Sequence, residues 1–161
     1  LQEGTLPFEP AMDAFQRLIE GDFGSRVVNL DVSPFVPKGW FIEEHTRGGN
    51  LDFDPAKITL YLSEGQKGNK RIEGHQLRKE MNAQPVLNAN LLDWLLKPEN
   101  QHLIPEEWKG KAVFFWGTIY RDQDGRMYVR YLCWSGVGWD WSCRWLAYGW
   151  LSGNPAAVSA S

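Results

Sequence analysis

Residues 111–151, KAVFFWGTIYRDQDGRMYVRYLCWSGVGWDWSCRWLAYGWL, decide the fold of this chain. Six of the nine tryptophans lie in this stretch, which is also rich in other aromatic and β-branched side chains. Apolar and polar residues alternate along it between glycine-containing turns, a pattern that is typical of antiparallel β-strands. The stretch therefore predicts a Trp-rich antiparallel meander.

Two turns set the predicted register of these strands. Residues 122–125 (DQDG) favour a type I turn followed by a glycine at positive φ, which closes a hairpin. This turn predicts three pairs: Tyr120 with Tyr128, Trp116 with Leu132, and Phe114 with Trp134. Residues 135–138 (SGVG) form the next turn. This second turn predicts three more pairs: Trp134 with Trp139, Leu132 with Trp141, and Tyr128 with Trp145.

The two registers place the same side chains on one face of the sheet, which supports both, because a slip of one residue would exchange the faces. That face carries Phe114, Trp116, Tyr120, Tyr128, Leu132, Trp134, Trp139, Trp141 and Trp145. The opposite face carries Phe115, Ile119, Val129, Tyr131, Asp140, Ser142 and Arg144.

The aromatic face has two interpretations. As a core, four of its tryptophans would remove about 800 Å² from water, worth about 20 kcal/mol gross. As a partly open groove, it would leave two or three rings accessible beside arginines, an arrangement that binds single-stranded nucleic acid or sugars by stacking. Arg130 either stacks on a ring or marks where the face meets water. The candidate binding residues are Tyr120, Arg121, Tyr128, Arg130, Trp134, Trp139, Trp141 and Arg144.

Composition places the chain among ordinary globular proteins. Its 161 residues suit one α+β domain over 1–161, with 1–8 and 152–161 predicted to be poorly ordered ends. A net charge of −3 gives no basic field for nucleic acid or an anionic membrane. No apolar run reaches the length of a membrane span, and we see no basic-plus-apolar leader. These features favour a cytoplasmic location.

The two cysteines are too few for a disulfide framework. The predicted register directs Cys133 and Cys143 to opposite faces, so we expect two reduced, half-buried thiols.

The rest of the chain predicts short strands and helices. A stripe of Met12, Phe15, Leu18 and Ile19 predicts an amphipathic helix from Pro10 to Gly21. Strands are predicted at 25–32, 39–46 and 58–62, and a mobile basic turn at 64–71. Further helices are predicted at 74–82, after Asn88 or Asn90 up to Pro98, and as one short turn at 105–108. Together these elements predict an antiparallel sheet or open barrel, with three to four short helices packed on one side.

The strongest candidates for chemistry are Glu43, His45 and His75. Alternation puts Glu43 and His45 on one face of their strand, where they could act as metal ligands or as an acid–base pair. No spacing typical of a zinc site completes the set, so the alternative is a solvated strand face, and we expect no metal and no cofactor.

The segment 47–55 is glycine-rich and polar, which favours a functional surface loop. Its candidate contact residues are Arg47, Asn50, Asp52 and Asp54.

The segment 87–146 resembles a group of hypothetical proteins encoded by uncultured candidate-phylum bacteria. The resemblance rests on the asparagine-capped leucine helix, IPEEWKGK (104–111), FWGTIYRDQDG (115–125) and the tryptophan pairs that follow. It extends more weakly to GWFIEEHT (39–46) and IEGHQLRKEM (72–81). The resemblance implies a bacterial cytoplasmic protein, and it transfers no functional residue.

Three functions remain open. The first is a non-catalytic binding module that uses the aromatic and arginine surface together with the 47–55 loop. Its partner could be a small ligand, a glycan, single-stranded nucleic acid or a protein. The second is a small hydrolase or nuclease-like enzyme that uses Glu43, His45 and His75. The third is a structural or assembly role.

Overall fold

Strand β8 (Met127–Trp134) is the centre of a seven-stranded sheet in the computed structural model, which describes residues 26–160. The other strands are β1 (Val27–Asn29), β2 (Phe41–His45), β3 (Asn50–Asp52), β4 (Ile58–Tyr61), β5 (Ile72–Glu73), β6 (Val113–Phe114), β7 (Thr118–Arg121), β9 (Trp139–Trp145), β10 (Gly149–Trp150) and β11 (Ala156–Ser159). The strand order of the sheet is β2-β7-β8-β6-β11-β4. Both β6 and β7 pair with one edge of β8, and β9 pairs with its opposite edge. The predicted lead-in 1–8 and the predicted helix that begins at Pro10 lie outside the described residues.

The register of the β8–β9 hairpin is as predicted over its whole length. Its pairs run from Tyr128 with Trp145 to Trp134 with Trp139. The preceding turn is also as predicted near its tip, where Tyr120 pairs with Tyr128 and Gly125 has a φ of 84°. Local turn chemistry explains both results. Asp122 Oδ1 accepts hydrogen bonds from the N–H groups of Asp124 and Arg126, and Ser135 Oγ accepts from those of Val137 and Gly138 in the next turn.

The predicted pairs of Phe114 and Trp116 are wrong. Phe114 pairs with Tyr131, and the chain leaves the ladder before β7 begins. The cause is the close approach of Gly117 to Asn88, where a Cβ on Gly117 would lie 2.8 Å from the Asn88 Cα. Three residues are thereby inserted opposite β8, and this odd shift turns Phe114 and Trp116 to the other face of the sheet.

The C-terminal residues 152–161 were predicted to fray, and this is wrong for β11. This strand runs parallel to β6 and antiparallel to β4. Ala156, Ala157 and Val158 are buried there. Ala157 belongs to the core on one face of the sheet, and Ala156 and Val158 belong to the core on the other. Because β11 is inserted in this way, the sheet is not a simple meander.

Two α-helices lie in the described residues, α1 (Gly74–Met81) and α2 (Ala89–Leu96), and they cover opposite faces of the sheet. The expectation of three to four helices on one side is therefore not confirmed; residues 106–108 form only a 3₁₀ turn. The structure of residues 26–160 is mixed α/β and mostly sheet. With eight residues each, neither helix is long enough to cross a bilayer.

The two helices close two separate cores. The α2 core contains Leu91, Leu92, Leu95, Phe115 and Leu132. The α1 core contains Leu77, Met81, Phe114, Val129 and Trp150. Strand β8 contributes alternate residues to the two cores, so its central part is covered on both faces. Strand β9 differs, because among residues 26–160 it pairs with β8 alone.

Candidate interaction surface on strand β9

Arg130 lies in the core rather than at a binding surface, although the sequence made it a candidate contact residue. Its side chain is 1% exposed and forms a bidentate ion pair with Asp93 of α2, at 2.7 and 3.0 Å. The guanidinium also lies 4.1 Å from the ring centre of Trp141. Burial alone lowers the pKa of Arg130, but the Asp93 carboxylate offsets this and holds the pKa above its ordinary value.

Tyr120 is buried beside Arg130 and is likewise part of the core. Its hydroxyl donates to the Phe35 carbonyl at 2.8 Å and accepts from Arg130 Nη1 at 3.3 Å. Burial raises the pKa of Tyr120. Tyr128 is half-buried, since its ring stacks on Trp40 with 4.6 Å between centroids. These two tyrosines are therefore occupied within the chain.

The accessible part of the predicted aromatic face lies at the β8–β9 turn and along β9. Four tryptophans there are only half-buried: Trp134, Trp139, Trp141 and Trp145. Lys109 Nζ lies 3.9 Å from the ring centre of Trp134, which also packs edge-on against Trp139. The core and groove interpretations thus each apply to part of the face, with the rings of β7 and central β8 buried and those of β9 partly open.

The backbone of β9 has an outer edge with hydrogen-bonding groups. Leu146 N–H donates to the Met127 carbonyl at 2.9 Å. In this register the even-numbered residues of β9 form the backbone hydrogen bonds to β8. The odd-numbered residues direct their N–H and C=O groups away from β8. They are Trp139, Trp141, Cys143 and Trp145. Their side chains share the aromatic face, so the ring-bearing residues also carry the outward-facing backbone groups.

Two of these outward groups already have local partners. Trp141 N–H donates to the carboxylate of Asp140 at 2.7 Å. The Trp145 carbonyl accepts from Tyr148 N–H at 3.0 Å. Charged side chains on an edge strand disfavour uncontrolled strand pairing. At Trp141 the outward N–H of the β9 edge is therefore occupied within the chain.

The other candidate arginines bind within the chain. Arg121 Nε donates to Glu43 at 3.0 Å on the exposed side of β2 and β7. Arg144 Nε and Nη2 both donate to the Gly149 carbonyl, at 3.0 and 2.8 Å, and its guanidinium lies over Trp150. None of these arginines forms a continuous basic track with the tryptophans of β9.

Glu43, His45 and His75 do not come together. His45 Nδ1 lies 2.9 Å from Thr118 Oγ1, and Nε2 lies 3.2 Å from the Leu30 carbonyl, on the α2 side of the sheet. His75 is exposed on α1, which packs against the opposite face. Burial lowers the pKa of His45, more than its hydrogen bonds to backbone carbonyls raise it. His45 is therefore a structural residue that favours the neutral form.

The segment 47–55 is only partly a loop, contrary to expectation. Asn50 and Asp52 belong to β3, which pairs with β1, and Asp54 caps a 3₁₀ turn by accepting from Ala56 N–H. Arg47 remains exposed. Asn50 and Asp52 are both exposed on β3, whereas Asp54 is partly buried.

Among the clefts formed by residues 26–160, two border the sheet near candidate residues. One of about 410 Å³ lies between β1 and α2, with Asp93 and Trp94 in its wall. The other, of about 320 Å³, is lined in part by Glu44, Arg78 and Trp116. Trp116 Nε1 is buried without a hydrogen-bond partner among the described residues. Asp93, Glu44 and Arg78 are already paired within the chain, so these charges are not free for a ligand.

Three residues of this region were missed from the sequence. Asp93 is the single charged residue of the leucine-rich helix ANLLDWLL, and that isolation is a signal of a buried partner. Phe35 and Trp40 lie in the segment PFVPKGW and pack over Trp141 and Tyr128. Phe35 lies in no predicted element and Trp40 lies at the start of the predicted strand 39–46, and the sequence predicts for neither residue a contact with the aromatic face.

Among residues 26–160, no group of three or more His, Cys, Asp and Glu side chains is arranged to hold a metal ion. Cys133 and Cys143 are free thiols. Burial raises the pKa of both, which disfavours the reactive thiolate. No protein-family model matches the chain, and comparison with curated proteins and with solved structures finds no similar protein.

Proposed function

We propose that this protein is a non-catalytic binding module that binds an extended polypeptide along strand β9. The observation that carries the proposal is the coincidence of two features on the same residues. Trp139, Trp141 and Trp145 present partly open rings on one face, and their backbone groups point away from β8. An added strand gains affinity from main-chain hydrogen bonds and specificity from the side chains that flank the edge.

A polypeptide suits this surface better than a nucleic acid does. Stacking proteins that bind single strands combine aromatic rings with a basic groove along the backbone. Here Arg121 and Arg130 are held by acidic side chains, and the chain carries a net charge of −3. A glycan could stack on the rings, but it would make no use of the outward amides.

The hydrolase alternative has no comparable support. It required His45 and His75 at one site, and they lie on opposite faces of the sheet. His45 is also held between Thr118 and the Leu30 carbonyl, where both ring nitrogens have partners. A third hypothesis, a role in assembly, would use the same edge of β9.

The test is titration with a panel of extended peptides, followed by the backbone amide and indole signals in two-dimensional NMR spectra. We expect the amides of Trp139 and Cys143 to shift together with the indoles of β9. The variant Cys143→Pro removes one outward N–H and should weaken binding at least about tenfold, since prolines are tolerated at strand edges but cannot donate. Cys143→Ser is the matched control, because it keeps the N–H.

Peptides that bind without moving β9 signals would contradict the proposal, as would equal affinities of the proline and serine variants. Glycans or oligonucleotides that shift the same indoles while peptides do not would replace the ligand class.

A further inference from the structure

We propose that β9 pairs with β9 of a second copy of this chain, in antiparallel orientation about a two-fold axis at Ser142. This inference rests on the proposed function, because it names the extended strand that the edge of β9 receives. Identical edges that meet about a two-fold axis perpendicular to the sheet form one continuous sheet and keep the aromatic face on the same side. Two seven-stranded sheets would then join at β9.

The sequence of β9, WDWSCRW, carries opposite charges at equal distances on the two sides of Ser142. Asp140 and Arg144 lie two residues on either side of the centre. In the antiparallel pair, each Asp140 therefore faces Arg144 of the second copy. Trp139 faces Trp145 of the second copy on the aromatic face. Opposite charges and aromatic pairs directly across two strands are both stabilising arrangements.

The direction of the backbone groups agrees with this register. Trp141 and Cys143 direct their N–H and C=O groups outward, so they form the hydrogen-bonded pairs across the new interface. Asp140 and Arg144 then occupy a non-hydrogen-bonded pair, in which the two Cα atoms approach to about 4.5 Å and the side chains lie closest. The ion pair thus falls where cross-strand contact is tightest.

The charges also select this register over its neighbours. A shift of the second copy by two residues in either direction keeps the outward backbone groups in hydrogen-bonded positions. In one shifted register Asp140 faces Ser142 of the second copy, and in the other Ser142 faces Arg144. Both leave the charges without a partner across the interface, whereas centring on Ser142 pairs all four.

The local contacts of Asp140 and Arg144 are compatible with pairing. Asp140 caps the Trp141 N–H in the single chain. On association this carboxylate moves to Arg144 of the second copy and frees the amide for the Cys143 carbonyl across the axis. Arg144 keeps its bonds from Nε and Nη2 to Gly149, and its Nη1 makes no hydrogen bond among residues 26–160. The Asp140 carboxylate therefore accepts from the Trp141 N–H in the monomer and pairs with Arg144 of the second copy in the dimer.

The first experiment is sedimentation of the full chain over a wide concentration range, with charge variants of β9. We expect a reversible dimer. Asp140→Lys should raise the dissociation constant at least about tenfold, because two attractive cross-strand pairs become two repulsive ones. Arg144→Glu should do the same, and the double variant D140K/R144E should recover most of the affinity. A dimer that none of these changes affects would overturn the proposal.

The second experiment does not depend on the fold tolerating a charge reversal. Ser142→Cys places two thiols at the predicted two-fold axis, in a non-hydrogen-bonded pair whose Cα separation of about 4.5 Å suits a disulfide. Mild oxidation should link two chains through residue 142, as shown by peptide mapping. Ser152→Cys, at another exposed serine, is the matched control and should link far more slowly.

The two experiments separate this inference from the proposed function. A chain that stays monomeric, with Ser142→Cys linking no faster than the control, overturns the pairing of two copies. If extended peptides still shift the β9 amides in that sample, the edge remains a binding site and only its partner is different. If they do not, both proposals fail.

Discussion

Strands β8 and β9 pair along the length of their hairpin, and each strand carries several aromatic side chains and one arginine. Their surroundings differ. β8 has β6 and β7 on one edge, and Arg130 is buried against Asp93. β9 has β8 alone among the described residues, and Arg144 binds only a backbone carbonyl and neighbouring rings. The position of a strand in the sheet, rather than its composition, decides whether such a pattern becomes a core or a contact surface.

The largest effect should come from breaking the buried pair of β8. Asp93→Ala leaves the Arg130 guanidinium uncompensated in the core, and we expect a loss of about 3 kcal/mol in the free energy of unfolding. Chemical denaturation measures this loss. The comparison on β9 is Arg144→Ala, which should cost no more than about 1 kcal/mol, since half-exposed polar contacts contribute little.

The same pair offers a sharper version of this test. The double variant Asp93→Ala/Arg130→Met has no unpaired charge in the core, so it should be more stable than Asp93→Ala alone. A double variant less stable than the single one would show that Arg130 contributes mainly by filling space.

The difference between the two strands also explains what the sequence could predict. The β8–β9 register depends on alternation and on the turn at 135–138, which are local in the chain, and every one of its predicted pairs is observed. The partner of Arg130 lies 37 residues away in α2, so the position of Asp93 within its helix can signal a buried partner but cannot indicate that the partner is Arg130. Solvent exposure of the β9 rings equally depends on which strands fill the other edges of the sheet.

Two misassigned segments have the same cause. β11 has a sequence of small residues without strong strand propensity, and its conformation comes from pairing with β4 and β6. The shift opposite β8 arises where Gly117 meets Asn88, and Gly117 N–H donates to the Leu87 carbonyl at 3.0 Å. Contacts between distant segments overrode the local register in both cases.

An intermediate effect on the free energy of unfolding should follow from a methyl group added at a closely packed glycine, compared with one added at a glycine in open space. Gly117→Ala forces a Cβ to within 2.8 Å of Asn88, and we expect a loss of about 1–3 kcal/mol, as for other overpacked sites. Gly138→Ala, in the turn before β9, meets nothing within 4 Å and has no positive φ, so it should be neutral or slightly stabilising. Thermal unfolding of the two variants measures the difference, and equal losses of stability would contradict the contrast between the close packing at Gly117 and the open space at Gly138.

The smallest effect should be a pH dependence that originates on the closed side. The pKa of His45 is lowered by burial, so the unfolded chain binds a proton at a higher pH than the folded chain does. Stability from this residue is complete above the unfolded pKa of about 6.5 and declines as the pH falls through the lowered folded value. The slope can reach at most about 1.4 kcal/mol per pH unit for one proton.

Denaturation at a series of pH values from about 7.5 to 5.5 tests this expectation around the ordinary histidine pKa. His45→Gln cannot bind the proton and should flatten the decline, while His75→Gln, at an exposed position on α1, should leave it unchanged. If the exposed histidine carried the pH dependence, the neutral His45 between Thr118 and Leu30 would not be the titrating group. A flattened profile in the His45 variant alone would instead locate the proton-sensitive site where α2 meets β2 and β7, away from the edge of β9.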